Sequence, residues 1–308
     1  MHTQTTTDPA HGVREYPYGI TPPGFRLPDA TRIGRVRLQV ADLVRSLAYY
    51  ERVLGLRVLR RTTDEAALGA EGADTPLVEL RALPGARSVP RRGRLGLYHF
   101  AILLPERAAL GRFVRHLSDL GEYAGMSDHF VSEAVYLTDP DGLGIEVYAD
   151  RPRSAWRYHG RQLAMTTEPL DVHDLLRAAG DTPWTGMPAG TVIGHVHFYV
   201  DDLERAAAFY HAGLGFDKVV WSYPGALFMS AGGYHHHLGT NTWAAGAPRA
   251  EADDARLLDW EVVVPRADDA EAAARSLTAA GYTVTRGDHA WLAADPWGTT
   301  LRIVGDAA

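Results

Sequence analysis

His99, Glu146 and His195 lie far apart in the chain, yet strand alternation turns all three toward one side of a sheet. In the stretch from Ile193 to Val200, Val196, Phe198 and Val200 suit the side covered by a helix. His195, His197 and Tyr199 then face the opposite, concave side. Phe100, Ile102 and Leu104 suit the helix side of a second strand, which leaves His99 on the concave one. In Gly142-Leu143-Gly144-Ile145-Glu146-Val147-Tyr148, Ile145 and Val147 go to the core and Glu146 joins His99. Two imidazoles and one carboxylate are the makings of a facial triad, which leaves metal positions open for a chelating substrate and for oxygen. A lone strand histidine is more often a hydrogen-bonded partner than a ligand, and a lone Glu146 could be a surface residue. It is the joint occurrence at equivalent places that carries weight.

Composition narrows the alternatives. The chain has 308 residues, room for two domains with sizeable cores, and 46% hydrophobic against 22% charged residues suits a soluble globular protein. It holds no cysteine, which excludes disulfides and thiolate metal sites, while its 14 histidines leave His, Asp and Glu as candidate ligands. A net charge of −7 argues against a nucleic-acid partner. No stretch approaches the roughly 20 continuous apolar residues of a membrane helix. Residues 1–31 are rich in Thr, Pro and Gly and lack the apolar run of a signal peptide, so they are expected to form a flexible tail on a cytoplasmic protein.

The elements that must position the triad repeat. Ile33-Gly34-Arg35-Val36-Arg37-Leu38 returns as Ile193-Gly194-His195-Val196-His197-Phe198, an offset of 195 − 35 = 160 residues. Helix-like runs follow over 43–54 and 203–214, with Asp42 and Asp202 placed to cap them and Gly55 and Gly215 closing them. A second kind of unit also occurs twice. His99-Phe100-Ala101-Ile102-Leu103-Leu104-Pro105 precedes a helix ending at Gly121, and Asp259-Trp260-Glu261-Val262-Val263-Val264-Pro265 precedes one ending at Gly281. The fold class is therefore α+β, with four strand-helix-strands modules starting near residues 33, 97, 192 and 257. Residues 151–190, rich in Pro, Arg and Gly with a short helix candidate over 171–179, read as a linker between domains at 32–150 and 191–308.

These residues resemble the vicinal oxygen chelate superfamily, whose βαβββ modules pair into cup-shaped half-barrels that hold a metal. Within it the chain is most similar to the four-module catechol 2,3-dioxygenases. The segments that carry this are Leu97-Tyr98-His99-Phe100-Ala101-Ile102-Leu103-Leu104-Pro105, Asp139-Pro140-Asp141-Gly142 through Glu146, Asp150-Arg151-Pro152-Arg153-Ser154 and Gly233-Tyr234-His235-His236-His237. The run from His129 through Val135-Tyr136-Leu137-Thr138-Asp139-Pro140-Asp141-Gly142 to Glu146 fits the ring-cleavage signature of that family, departing from it at Ser127.

The resemblance implies an extradiol dioxygenase that opens a catechol-type ring with O2 at a mononuclear Fe(II), with Mn(II) as the alternative. His99, His195 and Glu146 would be the metal ligands. His129 and Tyr136 would hydrogen-bond the substrate oxygens, and His236 would be the acid/base residue beside the bound oxygen. A slip of one residue in that strand would give the last role to His235 or His237. A small aromatic diol and O2 are the expected partners; neither nucleic acid nor membrane is expected, and a homo-oligomer is left open.

The other half of the repeat acts as an internal control. Arg35 stands where His195 does, Asp259 where His99 does, Arg302 where Glu146 does and Leu292 where Tyr136 does. Two arginines at ligand positions would repel a cation. Because the second module supplies only His99 and Glu146, the triad completes only if module two pairs with module three and module one with module four. Two rival functions share this frame. A glyoxalase-type isomerase would want a fourth carboxylate or amide ligand, where this chain has a histidine triplet. A metal-free binding protein for a small molecule would not need the full triad with His129 and Tyr136.

Overall fold

A computed structural model describes residues 18–306. The first module runs β1 (Arg32–Val40), α1 (Leu43–Arg52), β2 (Arg57–Arg61), β3 (Glu65–Gly69) and β4 (Val78–Ala82). The second runs β5 (Gly96–Leu103), α2 (Arg107–Leu120), β6 (Gly125–Asp128), β7 (Ser132–Thr138) and β8 (Gly144–Asp150). A short ribbon of β9 (Tyr158–His159) and β10 (Gln162–Leu163) and helix α3 (Val172–Ala179) occupy the stretch read as a linker. The third module comprises β11 (Val192–Tyr199), α4 (Leu203–Ala207), β12 (Asp217–Val220), β13 (Ala226–Ser230) and β14 (Leu238–Asn241). The fourth comprises β15 (Arg256–Val264), α5 (Ala267–Ala279), β16 (Val284–Arg286), β17 (Trp291–Ala294) and β18 (Thr300–Gly305).

Two eight-stranded sheets result, and each crosses the sequence halves. One has the order β16-β17-β18-β15-β1-β4-β3-β2, the other β12-β13-β14-β11-β5-β8-β7-β6. Modules one and four thus form one curled cup, and modules two and three the other. The seams are antiparallel, β1 against β15 and β5 against β11. The strand pattern explains the layering. Phe100, Ile102, Val196 and Phe198 are fully buried against the helices, and each such side chain contributes roughly 2–3 kcal/mol by leaving water. Buried phenols also tie the sequence-adjacent modules across the two sheets. Tyr50 donates to Asp139 at 3.2 Å, and at the repeated position Tyr210 donates to Asp295 at 2.7 Å. Burial pushes the Asp139 carboxyl up to about 6.

The helix starts follow the capping logic: Asp42 accepts from the backbone of Val44 and Arg45, and Asp202 from that of Glu204 and Arg205. The uninterrupted helix expected over 203–214 is a correction. α4 ends at Ala207 and widens into a π turn, Ala208–Gly213, in which Phe209, Tyr210 and His211 are all buried. Three consecutive inward side chains suit the wider turn better than a regular helix. The tail expected to be flexible is also different where it is described. Residues 1–17 lie outside the described residues, but 18–31 pack on module three. Leu27 is buried, Ile20 bridges to Lys218, and Arg26 pairs with Asp217 at 2.6 Å. Residues 151–190 are held by three modules: Gln162 accepts from the backbone of Trp221 and Ser222 in module three, Met187 N–H donates to Gly55 in module one, and α3 packs on module two. α3 lies so close to α2 that a Cβ on Gly111 would sit 2.4 Å from the Leu175 carbonyl oxygen.

Candidate metal centre

β-Bulges aim the side chains of the second cup. On β11 the register shifts between Ile193 and His195, so Gly194 is the extra residue and His195 comes opposite Ala101. Gly194 has to lack a side chain: a Cβ there would fall 1.8 Å from the Tyr148 hydroxyl. A second shift sets His197 opposite His99 and Phe198 opposite Leu97, which leaves Tyr98 unpaired. The Tyr98 ring therefore swings to the concave side, 4.6 Å from that of His99 and 5.2 Å from that of His197. On the far strands Glu146 aligns with Ala101 on one side and with Tyr136 on the other.

This register brings the triad together. Among the described residues His99, Glu146 and His195 are the one group whose ligand atoms could share a metal ion, all within 4.8 Å of one another and all buried. His99 Nε2 lies 3.0 Å and His195 Nε2 3.1 Å from the same Glu146 oxygen, Oε2. Both ring nitrogens of His99 are nevertheless buried without a directed hydrogen bond, as is His195 Nδ1. Two imidazole nitrogens facing one carboxylate oxygen, with one of them unbonded, is a donor set that a divalent cation satisfies and a single proton does not. Burial, outweighing the attraction of Glu146, lowers His195 to about 4, so its ring is neutral and ready to ligate at neutral pH. Burial alone would raise Glu146, but the two neighbouring imidazoles hold it well below the usual carboxylate range.

The other candidate residues ring the same point. The His236 ring lies 4.0 Å from that of His195 and against Phe228 at 5.0 Å. His235 turns away to Asp150, and His237 accepts from the Ala231 backbone N–H at 3.2 Å. Of the triplet, His236 is therefore the one set beside the triad. His129 sits at its edge: Nδ1 donates to the Thr166 carbonyl at 2.6 Å, so Nε2 accepts from the Tyr136 hydroxyl, also at 2.6 Å. The Tyr136 ring is 5.6 Å from that of His99, and burial raises its hydroxyl well above the ordinary phenol value, so it stays protonated.

Several residues of the wall escaped the sequence reading. Asn241 donates to His197 Nε2 at 2.9 Å while its own Oδ1 accepts from Trp243, which fixes His197 as an acceptor at that nitrogen. Tyr98 was hidden by the bulge, whose one local sign is Gly96 at φ 114°. Asp150, Tyr234 and Tyr148 form a polar chain behind His236 that no spacing announces. A cavity of about 470 Å³ opens on His99, Tyr136, Tyr98 and Tyr199, with Arg91 and Arg92 at its mouth.

Comparison with known proteins agrees with this geometry. A family model described as the Glyoxalase/Bleomycin resistance protein/Dioxygenase superfamily matches residues 32–147 and 192–303. A catechol-2,3-dioxygenase of Bacillus subtilis (strain 168) is 45% identical over 270 residues, covering 86% of this chain and 94% of the relative. Among solved structures, a provisionally assigned dioxygenase from Bacillus subtilis subsp. subtilis str. 168 superposes with a TM-score of 0.62 at 16% identity, covering 90% of this chain and 86% of the other. Glyoxalase I from Zea mays superposes with a TM-score of 0.54 at 19% identity, covering 90% and 92%. The two structures bear on the fold alone.

Proposed function

The chain belongs to the Glyoxalase/Bleomycin resistance protein/Dioxygenase superfamily, and within it we propose an extradiol ring-cleaving dioxygenase acting on catechol or a substituted catechol. The observation that carries this is the convergence of His99, His195 and Glu146 within 4.8 Å, with His236 on one side and the His129–Tyr136 pair on the other. His99, His195 and Glu146 would hold Fe(II) or Mn(II), which when bound supplies open positions for a diol and O2 and a path for electrons between them.

The remaining steps belong to side chains. Tyr98, Phe228 and Trp243 line the wall around His197 and offer apolar faces to a flat ring while excluding water. Tyr136 stays protonated, and because that proton goes to His129, its oxygen is the acceptor a diol hydroxyl would meet, with His129 holding it in place. His236, beside His195, takes a proton from the diol and returns it as the ring opens. With one anionic protein ligand the site favours a divalent ion, so the predicted break is beside the diol, not between its hydroxyls.

A glyoxalase-type isomerase is the second reading. It would want a further carboxylate or amide ligand on the last strand of module three; β14 carries Leu238-Gly239-Thr240-Asn241, and Asn241 is engaged with His197 and Trp243. The deciding experiment is anaerobic metal analysis, then incubation of the reduced, iron-loaded protein with catechol and air. A yellow ring-opened semialdehyde, identified by mass, is expected. A colourless muconic diacid, or no oxygen uptake with any of several substituted catechols, would overturn the proposal.

A further inference from the structure

Behind His236 runs a hydrogen-bonded chain that the chemistry above does not use. His236 Nδ1 is 2.8 Å from His235 Nδ1, and His235 Nε2 is 2.8 Å from Asp150 Oδ1. The same Asp150 oxygen accepts from the Tyr234 hydroxyl at 3.1 Å, which in turn lies 2.7 Å from that of Tyr148. His235 is fully buried, and its neighbours Trp156 and Tyr234 pack its ring at 5.5 and 4.0 Å. The ring has no room to turn over without breaking both bonds.

We propose that His235 and Asp150 are positioning residues that fix which nitrogen of His236 carries its proton. A carboxylate only accepts, so the proton between Asp150 and His235 sits on His235 Nε2. With a single proton on His235, as the proposal takes it, the lone pair is on Nδ1 and His235 accepts there. The proton shared by the two rings must then come from His236 Nδ1. One nitrogen remains: with the hydrogen bond of His236 made at Nδ1, its Nε2 keeps the lone pair. The two adjacent histidines thus have opposite tautomers, and Asp150, distant by 85 residues, sets both. Resting on the proposed dioxygenase reading, this makes His236 a base toward the diol, already in the protonation state that its first step requires. It also explains why the chain has two histidines here: an apolar residue at 235 would leave His236 free to protonate at Nε2, where it could accept nothing.

The test reads the tautomers directly and does not need turnover. The full chain, labelled with 15N-histidine, is examined metal-free and loaded with Zn(II), a diamagnetic ion, by two-bond proton–nitrogen correlation of the ring carbons. His236 is expected to be protonated at Nδ1 with Nε2 bare, and His235 to show the reverse. Finding His236 protonated at Nε2, or His235 protonated at both nitrogens, overturns the proposal whatever the activity. Variants sharpen it. His235→Leu is expected to lower kcat roughly tenfold to a hundredfold, the usual reach of a residue behind a metal-site group, with metal content and KM for catechol within twofold. His235→Gln, whose amide oxygen can accept from His236 Nδ1–H, is expected to recover most of that loss. Equal kcat in wild type and His235→Leu, or equal loss in both variants, counts against a positioning role. If His235→Leu does not fold, the wild-type spectrum and the His235→Gln kinetics still decide. The expected tautomers in a protein that opens no catechol would instead leave this inference standing and sink the proposed function.

Discussion

The two cups share a backbone plan and differ in what fills it. Each central strand bulges at the same repeat position, between Ile33 and Val36 in one and between Ile193 and His195 in the other, at a glycine in both cases. In the cup of modules two and three the concave face holds one buried carboxylate between two imidazoles, an anionic set with no cationic side chain among it. In the cup of modules one and four Arg35 reaches Glu79 at 3.0 Å, Glu261 at 3.2 Å and Asp259 at 3.3 Å, and Arg302 reaches Glu261 at 3.3 Å. That second cup encloses the larger cavity, about 1020 Å³, yet its charges neutralise one another. Size does not mark the proposed functional cup. An uncompensated set of ligand atoms does.

The largest effect should come from the carboxylate. Glu146→Ala removes one of three proposed ligands, and metal content and activity are expected to fall together to background, whereas Arg302→Ala, at the matching position of the other cup, should leave metal content unchanged. Metal analysis of the two variants side by side checks this, and equal losses would erase the distinction between the cups. Next is His236→Ala, expected to keep its metal and slow turnover by roughly 10²–10⁴-fold, the scale of a general acid/base. Full activity there, with loss in His237→Ala, would place the acid/base group elsewhere in the triplet.

A stability effect is expected in the silent cup. Arg35→Met removes the partner that Glu79, Asp259 and Glu261 share, leaving Arg302 on Glu261 and Arg60 near Glu79, and should cost about 2 kcal/mol in urea unfolding for the lost charge-assisted contacts. Activity per folded molecule should stay within twofold; a large fall would mean that the cups communicate. The smallest effect is in pH. The folded pKa of His195, about 4, is depressed from 6.5, so its contribution is present above 6.5 and lost as pH falls toward 4. Metal-free wild type should lose about 2 kcal/mol more than His195→Gln between pH 7 and pH 5. Asp139, raised to about 6, acts in the opposite sense and cancels in the difference. A pH profile shared by the two proteins would contradict a neutral, buried His195.

Much of this was legible in the chain because strands impose a period of two and the modules repeat at a fixed offset. Alternation sends Phe100 and Phe198 to the core and His99 and His195 to the other face, and the contrast of Arg35 with His195 separates an arginine-bearing cup from the one with the candidate ligands. Even the pairing of module two with module three followed from the chemistry, since no other pairing completes the triad. The course of residues 18–31 was not legible: their Pro- and Gly-rich sequence reads as a loose tail, while Leu27 and the Arg26–Asp217 pair anchor them to a partner about 190 residues away.

What the sequence determined alone, then, is what local geometry governs: where the repeated modules start, the helix caps at Asp42 and Asp202, and the face of the strand residues outside the bulges. Only the tertiary structure decided the rest. The bulge that turns Tyr98 inward depends on how β5 registers against β11, and register is a property of two strands. The different surroundings of His235, His236 and His237 depend on which ring meets His195 and which meets Asp150, contacts 41 and 85 residues apart that no period encodes. The direction of each proton in that chain follows from Asp150, because a hydrogen bond takes its polarity from the partner that can only accept.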